Sequence, residues 1–278
     1  MIAKDLMKTD YARIDKSTTV SKLVGELIRK KCRAAVVFDK KKYVGITSRK
    51  TLIRTKLDPA QLKVLHLVEK VPTLSGKEDI AEIAHLMYTA DAFILPVIEK
   101  KIVVGIVDII DVVNQLKGMP ESGKRIKDIM TLEPIVVNED SGLGDAITVM
   151  QNKKVSRIPI VDKKGRLVNV TSIADILEQF YLKLQHRAEQ GTRASSRATK
   201  TGSVDIGAKE RDFNLYPIIN LTSTISITGQ ENETVSDVLD KMNEFDISSL
   251  VIVRNKEPIG IVTVRDLLKL FMKDKITY

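Results

Sequence analysis

Val235-Ser236-Asp237-Val238-Leu239-Asp240-Lys241-Met242, followed by Leu250-Val251-Ile252-Val253 and Ile259-Gly260-Ile261-Val262, decides how this chain folds. Val235, Val238, Leu239 and Met242 stand at i, i+3, i+4 and i+7, the spacing that lays one apolar stripe along a helix. The two runs behind it are short and β-branched, and Arg254 to Glu257 separates them with charge, as a hairpin turn does. Leu267-Leu268 then suit the buried face of a second helix.

The same series occurs three more times. Its helical stripes are Val20, Leu23, Val24, Leu27; Ile80, Ile83, Ala84, Met87; and Leu143, Ala146, Ile147, Met150. Its hairpins turn at Lys40-Lys41-Lys42, at Glu99-Lys100-Lys101 and at Asp162 to Arg166. From Val20 to Gly45, Ile80 to Gly105, Leu143 to Asn169 and Val235 to Gly260 the separations are 25, 25, 26 and 25 residues. Apolar pairs follow each anchor at one offset: Leu52-Ile53, Val112-Val113, Ile176-Leu177 and Leu267-Leu268. Chance does not hold such a register four times. Each copy reads as β-α-β-β-α, an α/β unit too small to bury its surface comfortably alone, so copies are expected to pair. The recurrence of Lys4-Asp5-Leu6-Met7 as Lys127-Asp128-Ile129-Met130 suggests two pairs.

The anchors are 60, 64 and 91 residues apart, so the last interval holds an insertion. The boundaries that follow are 1–66, 67–125 and 126–186 for the first three repeats, 187–217 for the insertion and 218–278 for the fourth. The insertion's Gly191 to Lys200 is polar and rich in small residues, as linkers are.

Composition narrows the function. The hydrophobic share of 43% supports a real core. Aromatics at 4% and the absence of tryptophan argue against a base-stacking platform. The single cysteine, Cys32, excludes an intrachain disulfide framework and suits a reducing compartment. No apolar run approaches the ~18 residues of a membrane helix, and Met1 to Met7 is unlike a signal peptide. A cytoplasmic protein with no membrane partner is expected. His66, His85 and His186 are scattered outside any metal-ligand spacing, and no Gly-Lys-Ser/Thr phosphate loop is present, so no catalytic site is expected.

The fourfold pattern resembles the CBS domain family over nearly the whole chain, the insertion aside. The resemblance implies four CBS repeats joined into two Bateman modules. It implies an adenosine nucleotide ligand (AMP, ADP, ATP or S-adenosylmethionine) in some clefts, with no cofactor required. The family signature is a glycine, two apolar residues, Thr or Ser, two variable residues and Asp. Its hydroxyl sits at a strand-to-helix corner that favours phosphate, and its Asp accepts the ribose hydroxyls.

Repeat four matches in full, with Gly260, Thr263 and Asp266, and Arg265 adds a phosphate partner. Repeat three keeps Ser172 and Asp175 but has Asn169 for the glycine, with Arg157 beside its cleft. Repeat two puts Asp108 where the hydroxyl belongs, which disfavours an anion there. Repeat one keeps Ser48 and has Thr51 for the acid. By family geometry Ile247-Ser248 and Val155 would also line clefts. The resemblance therefore points to nucleotide in the module of repeats three and four. The same hydroxyl and acid also form a helix capping box, which needs no ligand, and both readings stay open at this point.

Charge is concentrated at the front of the chain. Residues 1–66 carry 17 Lys and Arg against 6 Asp and Glu, whereas the whole chain nets only +9. Arg29, Lys30, Lys31 and Arg33 close the first helix, Lys40, Lys41 and Lys42 form a turn, and Arg49, Lys50, Arg54 and Lys56 follow. Together with Arg193 and Arg197 of the insertion, these read as a face for a polyanion, RNA or a ribosomal subunit, bound by its phosphates. The alternative is a nucleotide-sensing regulator of a protein partner that binds no nucleic acid. Whether modules pair within one chain or in a homodimer is not decided by any residue.

Overall fold

A computed structural model of the chain describes residues 1–53, 62–179, 215–221 and 226–272. Arg54, Lys56, Arg193 and Arg197 therefore lie outside the described residues. In repeat one, α1 (Ala3–Leu6) leads to β1 (Arg13–Asp15), α2 (Val20–Arg29), β2 (Ala34–Asp39), β3 (Lys42–Ser48) and α3 (Arg49–Ile53). Repeat two holds α4 (Ile80–Thr89), β4 (Ile94–Glu99), β5 (Ile102–Asp108) and α5 (Ile109–Asn114). Repeat three follows with β6 (Thr131–Leu132), β7 (Val137–Asn138), α6 (Leu143–Lys153), β8 (Arg157–Val161), β9 (Leu167–Ser172) and a helix, α7, at 173–179. Repeat four holds β10 (Thr228–Gly229), α8 (Val235–Glu244), β11 (Ser249–Arg254), β12 (Glu257–Thr263) and α9 (Val264–Leu268).

The repeats agree in detail except that the expected first strand of repeat two is reduced to a single bridge between Leu74 and Val97. Each hairpin is antiparallel and slips register once, at Val37/Phe38, Val97/Ile98, Ile160/Val161 and Ile252/Val253. Such a bulge bends the strand and strengthens its twist. The stripes bury as the periodicity requires: Leu23, Ile83, Leu143 and Val238 are fully enclosed. Each first helix stops at a left-handed residue, Lys31, Asp91, Lys154 or Asp246, with φ of 52°, 50°, 56° and 48°. Glycine is usual there, and a lysine in that region costs roughly 1 kcal/mol.

Two compact bodies divide the chain: Met1–Pro134 with Ile227–Tyr278, and Ile135–Ser226. The first contains repeats one, two and four with the leader of repeat three, and one buried apolar cluster runs through it, including Leu95, Ile109, Leu250 and Leu267. Within it, α9 packs against α4 and α5.

What the sequence boundaries conceal is an exchange of leaders. The leader of each repeat exchanges backbone hydrogen bonds with the start of its partner's first helix. Ala3 N–H donates to Glu78 O (2.8 Å), at the start of repeat two's α4. Val20 N–H, at the start of α2, donates to Leu62 O (2.9 Å), from the leader of repeat two. In the same body Val235 N–H donates to Lys124 O (3.0 Å), from the leader of repeat three. In the second body Leu143 N–H donates to Tyr216 O (2.9 Å), ahead of repeat four. Repeats one and two thus trade leaders, and so do three and four. Tyr216 and Pro217, assigned by sequence to the insertion, are part of this exchange.

Candidate functional site

Every repeat turns from its last hairpin strand into its second helix at one corner, and the four corners differ in chemistry. In repeat four, Thr263 is the N-cap of α9, and its Oγ1 accepts the Asp266 N–H at 3.3 Å. Asp266 Oδ2 accepts the Thr263 N–H (3.0 Å) and hydroxyl (2.8 Å), while Oδ1 accepts Lys269 Nζ (3.0 Å). Asp266 as a whole is 7% exposed. Repeat three repeats this box: Asp175 Oδ2 accepts the Ser172 N–H and hydroxyl, both at 2.7 Å, and Asp175 is half-buried. A carboxylate and a hydroxyl thus lie side by side at both corners, held by the capping bonds.

The other two corners lack that pair. In repeat one Thr51 Oγ1 donates to Ser48 O (2.6 Å), accepts Ser48 N–H (3.1 Å) and lies 3.1 Å from Thr47 Oγ1. In repeat two Asp108 caps α5 by accepting the Ile110 N–H at 2.9 Å, and Lys8 pairs with Asp111 at 2.7 Å. Burial pushes the Asp108 carboxyl above its ordinary range, against its cap bond and the charge of Arg33.

The residues at the start of the second strand act through their backbones. Ser248 O accepts Val264 N–H (3.0 Å), and Ile247 and Val155 donate N–H to Met242 O (2.9 Å) and Met150 O (3.1 Å). The side chains of Ile247, Ser248 and Val155 are half-buried. Arg157, also half-buried, lies opposite Ser172 in the register of β8 and β9.

The anchor glycines have a reason that motif reading missed. A Cβ on Gly105 would lie 2.4 Å from Met7 Cγ and 2.7 Å from Lys8 O, and one on Gly260 would lie 2.6 Å from Met130 Sδ. At Gly45 the obstacle is Glu69 O, 2.5 Å away. All three are crossed by an exchanged leader. At Asn169 the side-chain oxygen instead accepts the hydroxyl of Ser226, ahead of repeat four. The signal was present in the sequence as the recurring Lys-Asp-x-Met.

Two basic residues expected on the polyanion face are not there. Arg33 donates to Asp246 Oδ1 at 2.7 Å and its side chain is 13% exposed; Lys50 bonds Asp91 Oδ1 at 2.7 Å and is 19% exposed. Lys50 also lies 4.5 Å from the centre of the Phe93 ring. Each has found an acid at the left-handed stop of a helix in another repeat. Arg29 pairs with Glu26 (2.7 Å), Lys30 with Asp10 (3.4 Å), and the half-buried Arg49 donates to Leu27 O (3.4 Å). Lys31, Lys40, Lys41 and Lys42 are exposed.

Arg265 is corrected in the same way. Expected beside a phosphate, its guanidinium bonds the Asp91 carboxylate and lies 4.7 Å over the Tyr88 ring. Burial alone would raise the Asp91 carboxyl, but bonds and charge from Lys50 and then Arg265 hold it below its ordinary value. Aligning the helix stops as Lys31, Asp91, Lys154 and Asp246 would have marked both acids.

Among the described residues no cluster of three or more His, Cys, Asp and Glu is placed to hold a metal ion. No described helix is long and apolar enough to cross a membrane.

Comparison with known proteins gives four matches to the CBS domain family model, at residues 3–58, 65–118, 126–181 and 221–273. Protein MJ1404 of Methanocaldococcus jannaschii is 24% identical over 272 residues, covering 96% of this chain and 61% of that one. Inosine-5'-monophosphate dehydrogenase of the same organism is 31% identical over 114 residues, covering 41% of this chain and 22% of the enzyme. A 33.4 kDa protein in a ribosomal RNA operon of Thermofilum pendens is 25% identical, covering 71% of this chain and 60% of that one. The chain thus spans less than two thirds of each of these relatives. Among solved structures, protein MJ1225 of M. jannaschii superposes with a TM-score of 0.78 at 20% identity, covering 98% of this chain and 100% of that one. A conserved protein of Pyrococcus horikoshii gives 0.63 at 21%, again covering 98% and 100%. Those two likenesses are of fold.

Proposed function

The chain belongs to the CBS domain family, with four tandem repeats of the paired fold, and on that premise we propose a non-catalytic regulator that binds an adenosine nucleotide at repeats three and four. The observation that carries this reading is the carboxylate–hydroxyl pair, present at Ser172–Asp175 and Thr263–Asp266 and replaced at the other two corners. A ribose offers two donors, and a preset carboxylate accepts them without the entropy of ordering a loose side chain. Asp175 is the more open of the two acids. Isothermal titration with AMP, ATP and S-adenosylmethionine on the wild type, Asp175→Asn and Asp266→Asn is the test. We expect heat from the wild type and at least about a tenfold loss in one variant, the scale of one charged hydrogen bond. No heat with any of the three removes the proposal.

A second reading, docking on RNA, is favoured by the exposure of Lys31, Lys40, Lys41 and Lys42. It is consistent with the Thermofilum pendens relative's place in a ribosomal RNA operon. Replacing Lys40, Lys41 and Lys42 by Glu should weaken binding to ribosomal RNA and flatten its salt dependence by about two to three in slope. RNA binding that ignores this triple change ends the second reading. The regulator would then act on a protein partner.

A further inference from the structure

The two cations that stand one residue before the acid position of a corner, Lys50 in repeat one and Arg265 in repeat four, converge on one carboxylate, Asp91 of repeat two. The same position holds Ile110 in repeat two and Ala174 in repeat three, so no other corner supplies a cation there. We infer that Asp91 sets the charge selectivity of the repeat-four corner, so that it takes an adenosyl ligand without phosphate in preference to a phosphorylated one. The inference rests on the reading of that corner as an adenosine site.

The geometry around Asp91 makes it a strong competitor. Its backbone is fixed at the left-handed end of α4, with φ of 50°, so the carboxylate is aimed by the fold. Lys50 approaches it with the Phe93 ring beneath, and Arg265 approaches with the Tyr88 ring beneath. Arg265 is about one-third exposed, and the Asp91 side chain 43%. Lys269, just past α9, is bonded to Asp266 at 3.0 Å. Arg265 and Lys269 thus each already have an acid. An arriving phosphate must strip Arg265 from a preorganised pair and then lie near the Asp266 carboxylate, where like charges repel. An uncharged adenosyl group needs only the hydroxyl and carboxylate.

The test uses the full chain carrying Asp175→Asn, which weakens the repeat-three corner, and titrates adenosine and ATP at one ionic strength. Asp91→Asn keeps the left-handed preference and an acceptor oxygen while removing the charge, and its melting curve reports that it folds. The expected starting point is adenosine bound at least about tenfold tighter than ATP. Asp91→Asn should raise ATP affinity about tenfold and leave adenosine within about twofold. Adding Arg265→Met to Asp91→Asn should return the ratio to its starting value, because the gain comes through the freed guanidinium. Adenosine binding with an ATP ratio unmoved by Asp91→Asn overturns the inference while sparing the adenosine reading. A starting preference for ATP overturns it as well. If adenosine fails to bind at all, the reading of the corner falls and takes the inference with it.

Discussion

Repeats two and four share a body, an anchor glycine crossed by an exchanged leader, and an acid three residues past the cap, but the cap itself is Asp108 in one and Thr263 in the other. That one difference changes what surrounds it. With Thr263 the neighbouring acid closes a two-way box through a hydroxyl that both donates and accepts. Repeat two has no hydroxyl at that position, and Asp111 pairs instead with an outside cation, Lys8 of the leader. The corner proposed for a ribose and a corner satisfied by its own chain thus differ by a hydroxyl. What they share belongs to the exchange of leaders rather than to any ligand.

The shared feature gives the largest expected effect. Gly105→Ala must push both the flexible Met7 side chain and the Lys8 carbonyl, 2.7 Å from the new methyl. Gly260→Ala meets chiefly Met130, with the Thr131 carbonyl at 3.0 Å. Overpacking of this kind costs about 1–3 kcal/mol, and we expect repeat two at the top of that range and repeat four at the bottom. Urea unfolding measures both. Equal or negligible costs would mean that the leaders do not dictate the glycines.

Removing the hydroxyl sharpens the contrast. Thr263→Ala loses the cap of α9 and leaves the buried Asp266 with one donor fewer, for a cost of about 1 kcal/mol. Thr263→Ser should recover most of it. If Thr263→Ala leaves stability unchanged, the box at repeat four contributes nothing to folding, and its retention would speak more strongly for a ligand.

The repeats, their hairpins and their buried stripes were legible because apolar periodicity is local and each copy confirms the others. The Thr263–Asp266 and Ser172–Asp175 pairs were legible for the same reason, since their partners are three residues apart. Arg33, Lys50 and Arg265 were misplaced because their partners come from other repeats; Arg33 and Asp246 are separated by 213 residues. Charge counted along a chain says how many cations there are. It does not say which acids the fold will bring to them.

The smallest effect is one of sign, and it separates the two aspartates most sharply. Asp108 is raised by burial above the ordinary value of 3.8, so its ionised form is the disfavoured one in the folded protein. Its contribution to stability is therefore gained as pH falls through its folded value and lost as pH rises. Asp91 is lowered, because the bonds and charge of Lys50 and Arg265 outweigh its burial; its contribution is present above the ordinary value of 3.8 and lost as pH falls below. On acidification from neutral the Asp108 gain comes first and the Asp91 loss second. Asp108→Asn should thus melt higher than wild type at neutral pH, and Asp91→Asn lower. Both differences should close on acidification, from opposite sides. Melting curves of the three proteins between neutral pH and the carboxylate range decide it. Two differences of the same sign would mean that Asp108 is held as an ion by Arg33 and Lys8 after all, and the corner of repeat two would then be a salt-bridge site like the one at Asp91.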